Sequence, residues 1–202
     1  LMVHAQSDVG PCMASADING DGLQDLYIGG GAGQAGLLML AHANGTMIPS
    51  SLPVLEADKA YADAAATWLD ANGDGHPDLY VGSGGYHNFL PTDTLLQDRL
   101  YLGDGKGGLA KAANALPQML TSTGCVAAAD VNGDGYPELF VGGKVIPGNY
   151  PEAPRSYVLL NNGKGGFTDA TAKIAPALER PGMVTAAQWA NLGGKGKLSL
   201  VV

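Results

Sequence analysis

The sequence contains little charge, and positive charge is the scarcer kind. Charged residues make up 15% of the 202 residues, and 11 Lys and Arg stand against 19 Asp and Glu, which gives a formal net charge of −8. A free-standing nucleic-acid-binding protein needs positive charge to meet the phosphates, so the composition argues against that class. The same acidic balance disfavours attraction to an anionic membrane surface.

Long apolar runs and cysteines are also scarce. No apolar run approaches the roughly 18 residues that span a bilayer, so we predict no membrane span, and the first residues lack the pattern of a signal peptide. Cys12 and Cys125 are too few for a disulfide scaffold and too far apart for a zinc knuckle. We expect both to be buried free thiols. Because the chain begins without Met and ends on apolar residues, we expect it to be a piece of a longer protein.

Glycine, by contrast, is abundant, and much of it falls in an internal repeat. The chain has 31 Gly, and the pattern Asp-x-Asn-Gly-Asp-Gly-x-x-Asp/Glu begins at Asp17, Asp70 and Asp130. A run of small residues precedes each of these loops, and a strand-like run and then a Gly-turned hairpin follow it. Since Asp-Gly and Asn-Gly between apolar runs are strong hairpin signals, each unit of about 60 residues is predicted to form four short strands.

Four short strands in each repeat are typical of propeller blades. We therefore predict an all-β fold, a single β-propeller domain over residues 1–202 with three complete blades and part of a fourth. A closed ring needs at least about four blades, so the chain is expected to be a fragment of a larger propeller. The predicted blades cover approximately residues 11–54, 61–116, 123–176 and 183–202, the last of them incomplete.

One segment has a competing local preference. Residues 55–69 are rich in Ala, Leu and Glu, a composition that favours helix. The alignment of the repeats places residues 62–69 on the innermost strand of the second blade instead. Because tertiary packing commonly overrides local propensity, we predict the strand.

The acidic loops have the pattern of calcium sites. Side-chain oxygens stand at positions 1, 3, 5 and 9, and Gly at positions 4 and 6 lets the backbone curl around one centre. This all-oxygen set suits Ca²⁺, which takes roughly six to eight oxygens, better than Mg²⁺ or Zn²⁺. Three carboxylates in nine residues repel one another without a cation; the alternative is three acidic turns that hold no ion. We predict about three Ca²⁺ per chain, with a backbone carbonyl at position 7; the predicted ligands are Asp17, Asn19, Asp21, Leu23, Asp25, Asp70, Asn72, Asp74, His76, Asp78, Asp130, Asn132, Asp134, Tyr136 and Glu138.

A fourth segment keeps the spacing of the loops and loses their acids. Asn191, Gly193, Lys195 and Ser199 stand where the other loops have their ligands. We expect no calcium there, because the Lys195 ammonium would lie near the vacant centre. One hypothesis is that Lys195 replaces the ion by donating to nearby carbonyls; the alternative is a solvated lysine in a Gly-rich turn.

Through these loops the sequence resembles the FG-GAP/VCBS repeat family, the calcium-binding blades also seen in integrin α-subunit propellers. Residues 130–142, 145–156 and 182–185 are most similar to bacterial relatives of the cartilage acidic protein group. The resemblance covers essentially the whole chain. It implies an extracellular propeller with calcium ligands at positions 1, 3, 5, 7 and 9 of each intact loop, and it does not fix a partner.

Two other features bear on function. Residues 31–36 match G-x-G-x-x-G after a strand-like run, but no long helix follows, so we interpret them as an inter-strand loop and not as a dinucleotide site. The long connections 83–98 and 143–155 carry aromatic and polar residues, which binding surfaces use, although they could equally be variable loop filler. The candidate ligand surface consists of Tyr86, His87, Phe89, Tyr150 and Arg155.

We therefore predict a calcium-stabilised binding or adhesion module outside the cell or at the cell surface, with the bacterial outer surface or periplasm included. Its partner would be a protein or a carbohydrate. No catalytic residue is predicted, because no nucleophile elbow or zinc-protease motif is present. The alternative is the platform domain of a secreted polysaccharide lyase or hydrolase, with active residues in the long loops or outside this chain.

Overall fold

The structure is built from short antiparallel strands. The computed structural model describes residues 11–86, 89–193 and 197–202. In this part of the chain three sheets have four strands each, paired in chain order, and a fourth sheet has two. We call these sheets blades 1 to 4. The strands are β1 (Met13–Ala16), β2 (Asp25–Ile28), β3 (Leu37–Ala41) and β4 (Met47–Ser50) in blade 1; β5 (Asp63–Leu69), β6 (Asp78–Ser83), β7 (Arg99–Gly103) and β8 (Leu109–Lys111) in blade 2; β9 (Ser122–Ala129), β10 (Glu138–Val145), β11 (Tyr157–Asn161) and β12 (Phe167–Asp169) in blade 3; and β13 (Gln188–Ala190) and β14 (Ser199–Val201) in blade 4.

In the part of the chain that the structure describes, helical structure is confined to short segments between strands. The helices are α1 (Pro53–Ala57) and α2 (Thr171–Ile174), with 3₁₀ turns at Thr94–Leu96 and Pro176–Leu178. Pro53 begins α1, where its missing N–H costs nothing. The prediction of a strand over residues 62–69 is confirmed, since β5 occupies Asp63–Leu69 and only α1 expresses the helical preference before it. None of the described helices is long and apolar enough to cross a membrane.

The blades are stacked side by side through their first strands. Strand β1 lies against β5, β5 against β9, and β9 against β13. Small residues such as the Ala run of β5 and β9 permit this close approach of one sheet to the next. The all-β prediction is confirmed, and the arrangement is propeller-like; a closed ring stays a prediction.

The hydrophobic core lies between neighbouring sheets. Tyr27 and Leu38 of blade 1 pack with Leu79 and Tyr101 of blade 2 in one buried cluster. A second cluster joins the strands of blades 2 and 3, and a third joins blade 3 to both strands of blade 4. A blade between two others therefore buries both faces, which explains why every residue of β6 is buried.

A repeated glycine sits where each blade meets the next. Gly29, Gly82 and Gly142 each lie twelve residues after the first aspartate of their loop. A Cβ added at Gly82 would lie 2.5 Å from Thr123 Cγ2 of the next blade, closer than real Cβ contacts. A Cβ at Gly29 would meet Asp63 Cβ at 2.7 Å in the same way. The repeat keeps glycine here because the neighbouring blade leaves no room for a side chain.

Replacing this glycine is expected to destabilise the protein. In Gly82→Val, the added methyl groups force Thr123 and blade 3 away, and we expect a loss of about 2–3 kcal/mol in the free energy of unfolding. Urea denaturation measures the loss. The matched control is Gly193→Val, because among the described residues, its chain neighbours aside, no atom lies within 4 Å of a Cβ at Gly193. Equal stability of the two variants would contradict this account of the blade contact.

Candidate metal loops and a cavity at the opposite strand ends

Three loops of the same conformation join the first two strands of blades 1, 2 and 3. We call them loop 1 (17–25), loop 2 (70–78) and loop 3 (130–138). In loop 1 the Asp17 carboxylate accepts backbone N–H groups from Gly20 and Gly22, both at 2.8 Å. Asp70 and Asp130 accept the equivalent pairs at 2.7 and 2.9 Å. The six glycines at positions 4 and 6 have φ between 76° and 90°, a region that side chains disfavour, so glycine is required for this curl.

Positions 3 and 5 also interact identically in the three loops. In loop 1 the Asn19 amide donates to Asp21 at 3.1 Å, and the Asp21 N–H donates back to the Asn19 oxygen at 3.0 Å. The same reciprocal pair joins Asn72 to Asp74 and Asn132 to Asp134. Two of these exposed carboxylates have lowered pKa values. The pKa of Asp17 is lowered because backbone N–H groups, first that of Gly22, favour its charged form, and the pKa of Asp74 is lowered because the Asn72 amide donates to it.

The acid at position 9 has a structural role that the sequence pattern did not indicate. Asp25, Asp78 and Glu138 are buried, at 1%, 0% and 0% exposure. One oxygen of Asp78 accepts the Ala71 N–H and the other accepts the Gly103 N–H, both at 2.8 Å, so the carboxylate ties the loop to the third strand of its own blade. Burial raises the pKa of Asp78 and of Glu138.

Each of loops 1 and 2 also contacts the hairpin of the following blade. The Gly107 N–H of blade 2 donates to the Ile18 carbonyl of loop 1 at 3.2 Å, and the Gly165 N–H of blade 3 donates to the Ala71 carbonyl of loop 2 at 3.0 Å. Both acceptors are residues at position 2 of a loop. The conformation of a loop is thereby linked to the packing of the next blade.

Residues at position 7 are held by their backbone. The N–H groups of Leu23, His76 and Tyr136 each donate to the carboxylate at position 5 at 2.8 Å. The His76 side chain is exposed and lies over Gly105 of its own blade, where a Cβ would come within 2.4 Å of its Nδ1. Tyr136 lies against Gly163 of its own hairpin in the same way, so in loops 2 and 3 the side chain at position 7 packs on a hairpin and the backbone carbonyl is the group left for an ion.

The donor set of these loops fits calcium, although the acids are not gathered around one point. Across residues 11–86, 89–193 and 197–202, no three His, Cys, Asp or Glu side chains form a group that could hold a metal ion. The Asn amide oxygen and a backbone carbonyl are therefore needed to complete a site. A carboxylate has about four lone-pair positions, and Asp21 uses one for the Leu23 N–H and one for the Asn19 amide. Oxygen acceptors thus remain for a cation in an all-oxygen set.

The candidate ligand-surface residues occupy different places. Tyr86 and Phe89 line a cavity of about 510 Å³, with Phe89 only 9% exposed. Tyr150 is 49% exposed and is not in the cavity wall. Arg155 pairs with Asp169 at 2.7 Å, and its guanidinium lies over the Tyr157 ring. His87 and Lys195, with the hypothesis on the fourth loop, lie outside the described residues.

The cavity opens at the strand ends opposite the acidic loops. Its wall comes from the ends of β2, β6 and β10 and the beginnings of β5 and β9, so three blades contribute. The segment 31–36, which matches G-x-G-x-x-G, connects β2 to β3 as predicted and supplies part of this wall.

Cys12 and Cys125 are free thiols, as predicted, and partly buried; burial raises the pKa of Cys12 to about 12.

Buried charges next to the cavity were not predicted from the sequence. Arg99 pairs with Asp63, and each side chain is 4% exposed. Asp98 accepts hydrogen bonds from Tyr80, from the Ser83 N–H at 2.7 Å and from Thr123 of blade 3. Burial raises the pKa of Asp98 to about 6. These residues depart from the repeat, because blade 3 has Thr123, Ser156 and Tyr157 in place of Asp63, Asp98 and Arg99.

Comparison with known proteins identifies repeats of the same kind. A family model described as an FG-GAP-like repeat matches residues 17–81 and 85–141, more than half of the chain. Phosphatidylinositol-glycan-specific phospholipase D of Bos taurus is 31% identical over 164 residues, and that of Homo sapiens is 32% identical over 166 residues. Each match covers 69% of this chain and 19% of the relative, so the chain spans about a fifth of the length of these relatives.

A solved structure resembles the chain in fold. It is that of an Agrocybe aegerita lectin described by its specific recognition of non-reducing terminal N-acetylglucosamine. The match has a TM-score of 0.59 and 19% sequence identity, and it covers 92% of this chain and 44% of the lectin chain. At this identity the likeness concerns the fold alone.

Proposed function

Because the chain belongs to the FG-GAP-like repeat family, we propose that it is a calcium-binding module of an extracellular or cell-surface β-propeller that binds a protein or carbohydrate partner. The observation that carries the proposal is the repetition of one loop conformation. Three loops share the same Asp, Asn and Asp side chains in equivalent hydrogen bonds, although their residues at positions 2 and 7 differ.

Each ion would be held by oxygens of a single loop. The side chains at positions 1, 3, 5 and 9 and the carbonyl at position 7 would supply them, in loop 2 Asp70, Asn72, Asp74, Asp78 and the His76 carbonyl. Bound calcium would offset the mutual repulsion of the carboxylates. Because position 9 is tied to the third strand and position 2 to the next blade, ordering a loop would stabilise two blades.

An extracellular setting follows from the affinity expected of such sites. Loops of this kind that bind calcium at micromolar or weaker affinity are filled outside cells, where calcium is abundant, and largely empty in a resting cytosol. The bacterial outer surface and the periplasm meet the same condition. We also propose, as a hypothesis, that this chain is more closely related to the cartilage acidic protein group than to other members of the repeat family.

Counting bound metal tests the proposal. We expect about three Ca²⁺ per chain by equilibrium dialysis, with Mg²⁺ unable to compete at equal concentration, because Mg²⁺ demands stricter octahedral geometry. In Asp70→Asn/Asp74→Asn the count should fall to two, since loop 2 loses two of its charges. The variant keeps the acceptors for the Gly73 and His76 N–H groups and loses the Asp70 Oδ2 that accepts the Gly75 N–H.

The matched control is Asp104→Asn in a hairpin of blade 2. Asp104 accepts the Lys106 and Gly108 N–H groups at 2.8 Å, in a turn that resembles those of the loops. It lies outside the three acidic loops, so its replacement should leave three ions bound. A count that is zero in the parent chain, or unchanged in the loop 2 variant, would overturn the metal assignment.

A platform domain of a secreted polysaccharide-degrading enzyme is the second candidate. The observation that favours it is the likeness to two relatives named as phospholipases, which shows that similar repeats occur within enzymes. Turnover of a polysaccharide panel by this chain, abolished by substitutions at Tyr86 or Tyr150, would favour the enzyme. Calcium-dependent binding without turnover would favour the binding module.

A further inference from the structure

Three equivalent positions of the repeat converge on the cavity, and one of them carries a charge. The residues fourteen positions after the first aspartate of each loop are Gly31, Gly84 and Lys144, and all three line the cavity wall. Two blades therefore present bare backbone at the point where blade 3 presents a lysine. The repeat alone does not account for this substitution, since glycine suffices in the other blades.

The local backbone directs Lys144 away from regular sheet pairing. Gly143 of β10 pairs with Thr123, and Val145 pairs with Ser122, so Lys144 is the extra residue of a β-bulge. Bulges commonly re-aim a side chain next to a binding site. The Cβ of Lys144 lies close to Gly124: a Cβ added there would come within 2.3 Å of the Val184 carbonyl oxygen and 2.9 Å of Lys144 Cβ, so both neighbours require glycine at 124.

Lys144 is the cavity charge that lacks a partner. It is half-buried and makes no ion pair or hydrogen bond with residues of the described ranges. Asp63 also lines the cavity, but its carboxylate is neutralised by Arg99 and accepts the Tyr27 hydroxyl at 2.7 Å and the Gly30 N–H at 2.8 Å. Burial disfavours the charged form of Lys144 and so lowers its pKa. A bound anion would offset this cost of desolvating the ammonium group.

The remaining wall offers ring and hydroxyl contacts. Tyr86 and Phe89 supply aromatic surface, and Phe89 packs against Gly85, where a Cβ would come within 2.1 Å of its ring. Ser122 and Gln34 add a hydroxyl and an amide. A volume of about 510 Å³ falls in the range of small-molecule sites and is large enough for a sugar ring.

We propose that this cavity binds a carboxylate-bearing sugar of the uronic acid type, with the carboxylate at Lys144 Nζ and the ring against Tyr86 and Phe89. The inference deepens the proposed binding function and rests on it, because it names the chemical class of the partner. Among the described residues of the wall, Lys144 is the one cation without a partner, and it matches one negative charge. The otherwise neutral, aromatic and hydroxylated wall selects a sugar ring over a more highly charged anion such as phosphate.

The acidic loops do not oppose an anion at this site. Strand β6 separates Asp78 of loop 2 from Gly84 of the cavity wall, a distance of about 20 Å along the strand. This is more than twice the Debye length of about 8 Å at physiological salt, so exposed loop charges are largely screened there. The site should therefore work with the loops filled or empty, provided that the chain is folded.

The test is titration calorimetry of the 202-residue chain with glucuronate, with glucose as the uncharged match and inorganic phosphate as the anion without a ring. We expect glucuronate to bind and glucose and phosphate to bind at least about tenfold more weakly. Lys144→Gln should weaken glucuronate by about tenfold or more, since a charge-assisted contact is lost, and Lys144→Arg should retain most of the affinity. Lys106→Gln, on an exposed hairpin turn, is the matched control and should change nothing.

Each titration is run in Ca²⁺ and in chelator, with the fold checked by circular dichroism. If folded Lys144→Gln binds glucuronate as tightly as the parent chain does, the inference is overturned. It is also overturned if glucuronate binding requires Ca²⁺ and is unchanged in Lys144→Gln, because the glucuronate carboxylate then binds the ion. Absence of glucuronate binding in a chain that holds three Ca²⁺ rejects the cavity and leaves the calcium module standing. Lys144-dependent glucuronate binding in a chain that takes up no Ca²⁺ supports the cavity and rejects the metal loops.

Discussion

In excess Ca²⁺ the midpoint of thermal unfolding should rise by about 15 °C or more above its value in chelator. A ligand at 100 times its Kd stabilises the native state by about 2.7 kcal/mol per independent site, so three sites give about 8 kcal/mol. For a chain of this size each kcal/mol moves the midpoint by about 2–4 °C. Calorimetry or circular dichroism in Ca²⁺, Mg²⁺ and chelator measures the shift.

The loop 2 variant makes this prediction specific. Asp70→Asn/Asp74→Asn should lose about a third of the calcium-dependent shift, because two loops remain intact. Asp104→Asn should keep the full shift, as its turn lies outside the three acidic loops. Coincident unfolding curves in Ca²⁺ and chelator would mean that the loops are acidic turns held by backbone hydrogen bonds alone.

Removing Arg99 should have the largest effect of any single substitution considered for this chain. In Arg99→Met the Asp63 carboxylate loses its ion-pair partner while it remains buried, and such losses cost about 3–5 kcal/mol. The Tyr27 hydroxyl and the Gly30 N–H still donate to Asp63, which keeps the cost within that range. Urea denaturation of the variant measures the loss in the free energy of unfolding.

Two further variants show whether the buried pair is the cause. Asp63→Asn/Arg99→Met removes both charges and should be more stable than Arg99→Met alone, since no unpaired charge remains. Lys59→Met removes the exposed Lys59–Glu56 pair and should cost less than about 1 kcal/mol. A double variant no more stable than Arg99→Met would show that the unpaired charge of Asp63 is not the cause of the cost.

The blades could be predicted from the sequence because their signals repeat. Asp-x-Asn-Gly-Asp-Gly fixes where the first strand ends and the second begins, since the glycines must adopt positive φ and the aspartates must accept their N–H groups. The small residues of β5 could be assigned to a strand despite the helical composition around them, because equivalent runs precede the other acidic loops. An isolated segment of this composition would have been assigned to helix.

The buried charges and the cavity could not be predicted from the repeat, because the residues that form them are not part of its pattern. Asp63, Asp98 and Arg99 form contacts between residues distant in sequence, and no spacing rule links them. The assignment of one candidate surface to both long connections rested on residue types, whereas the structure places Tyr86 and Phe89 in a cavity and Tyr150 outside its wall. The departures from the repeat, such as Lys144 in place of glycine, were the available signal for the cavity.

The hydrogen bonds between loops and hairpins also set the order in which parts of the chain open. Loops 1 and 2 are each closed by the hairpin of the following blade, through Ile18 and Ala71. Each of these two bonds joins neighbouring blades and breaks only when the blades separate, whereas the exposed bonds within a loop can open locally. The Gly107 and Gly165 amide hydrogens should therefore exchange with solvent later than those of Gly20 and Gly73, which are bonded only within their own exposed loops.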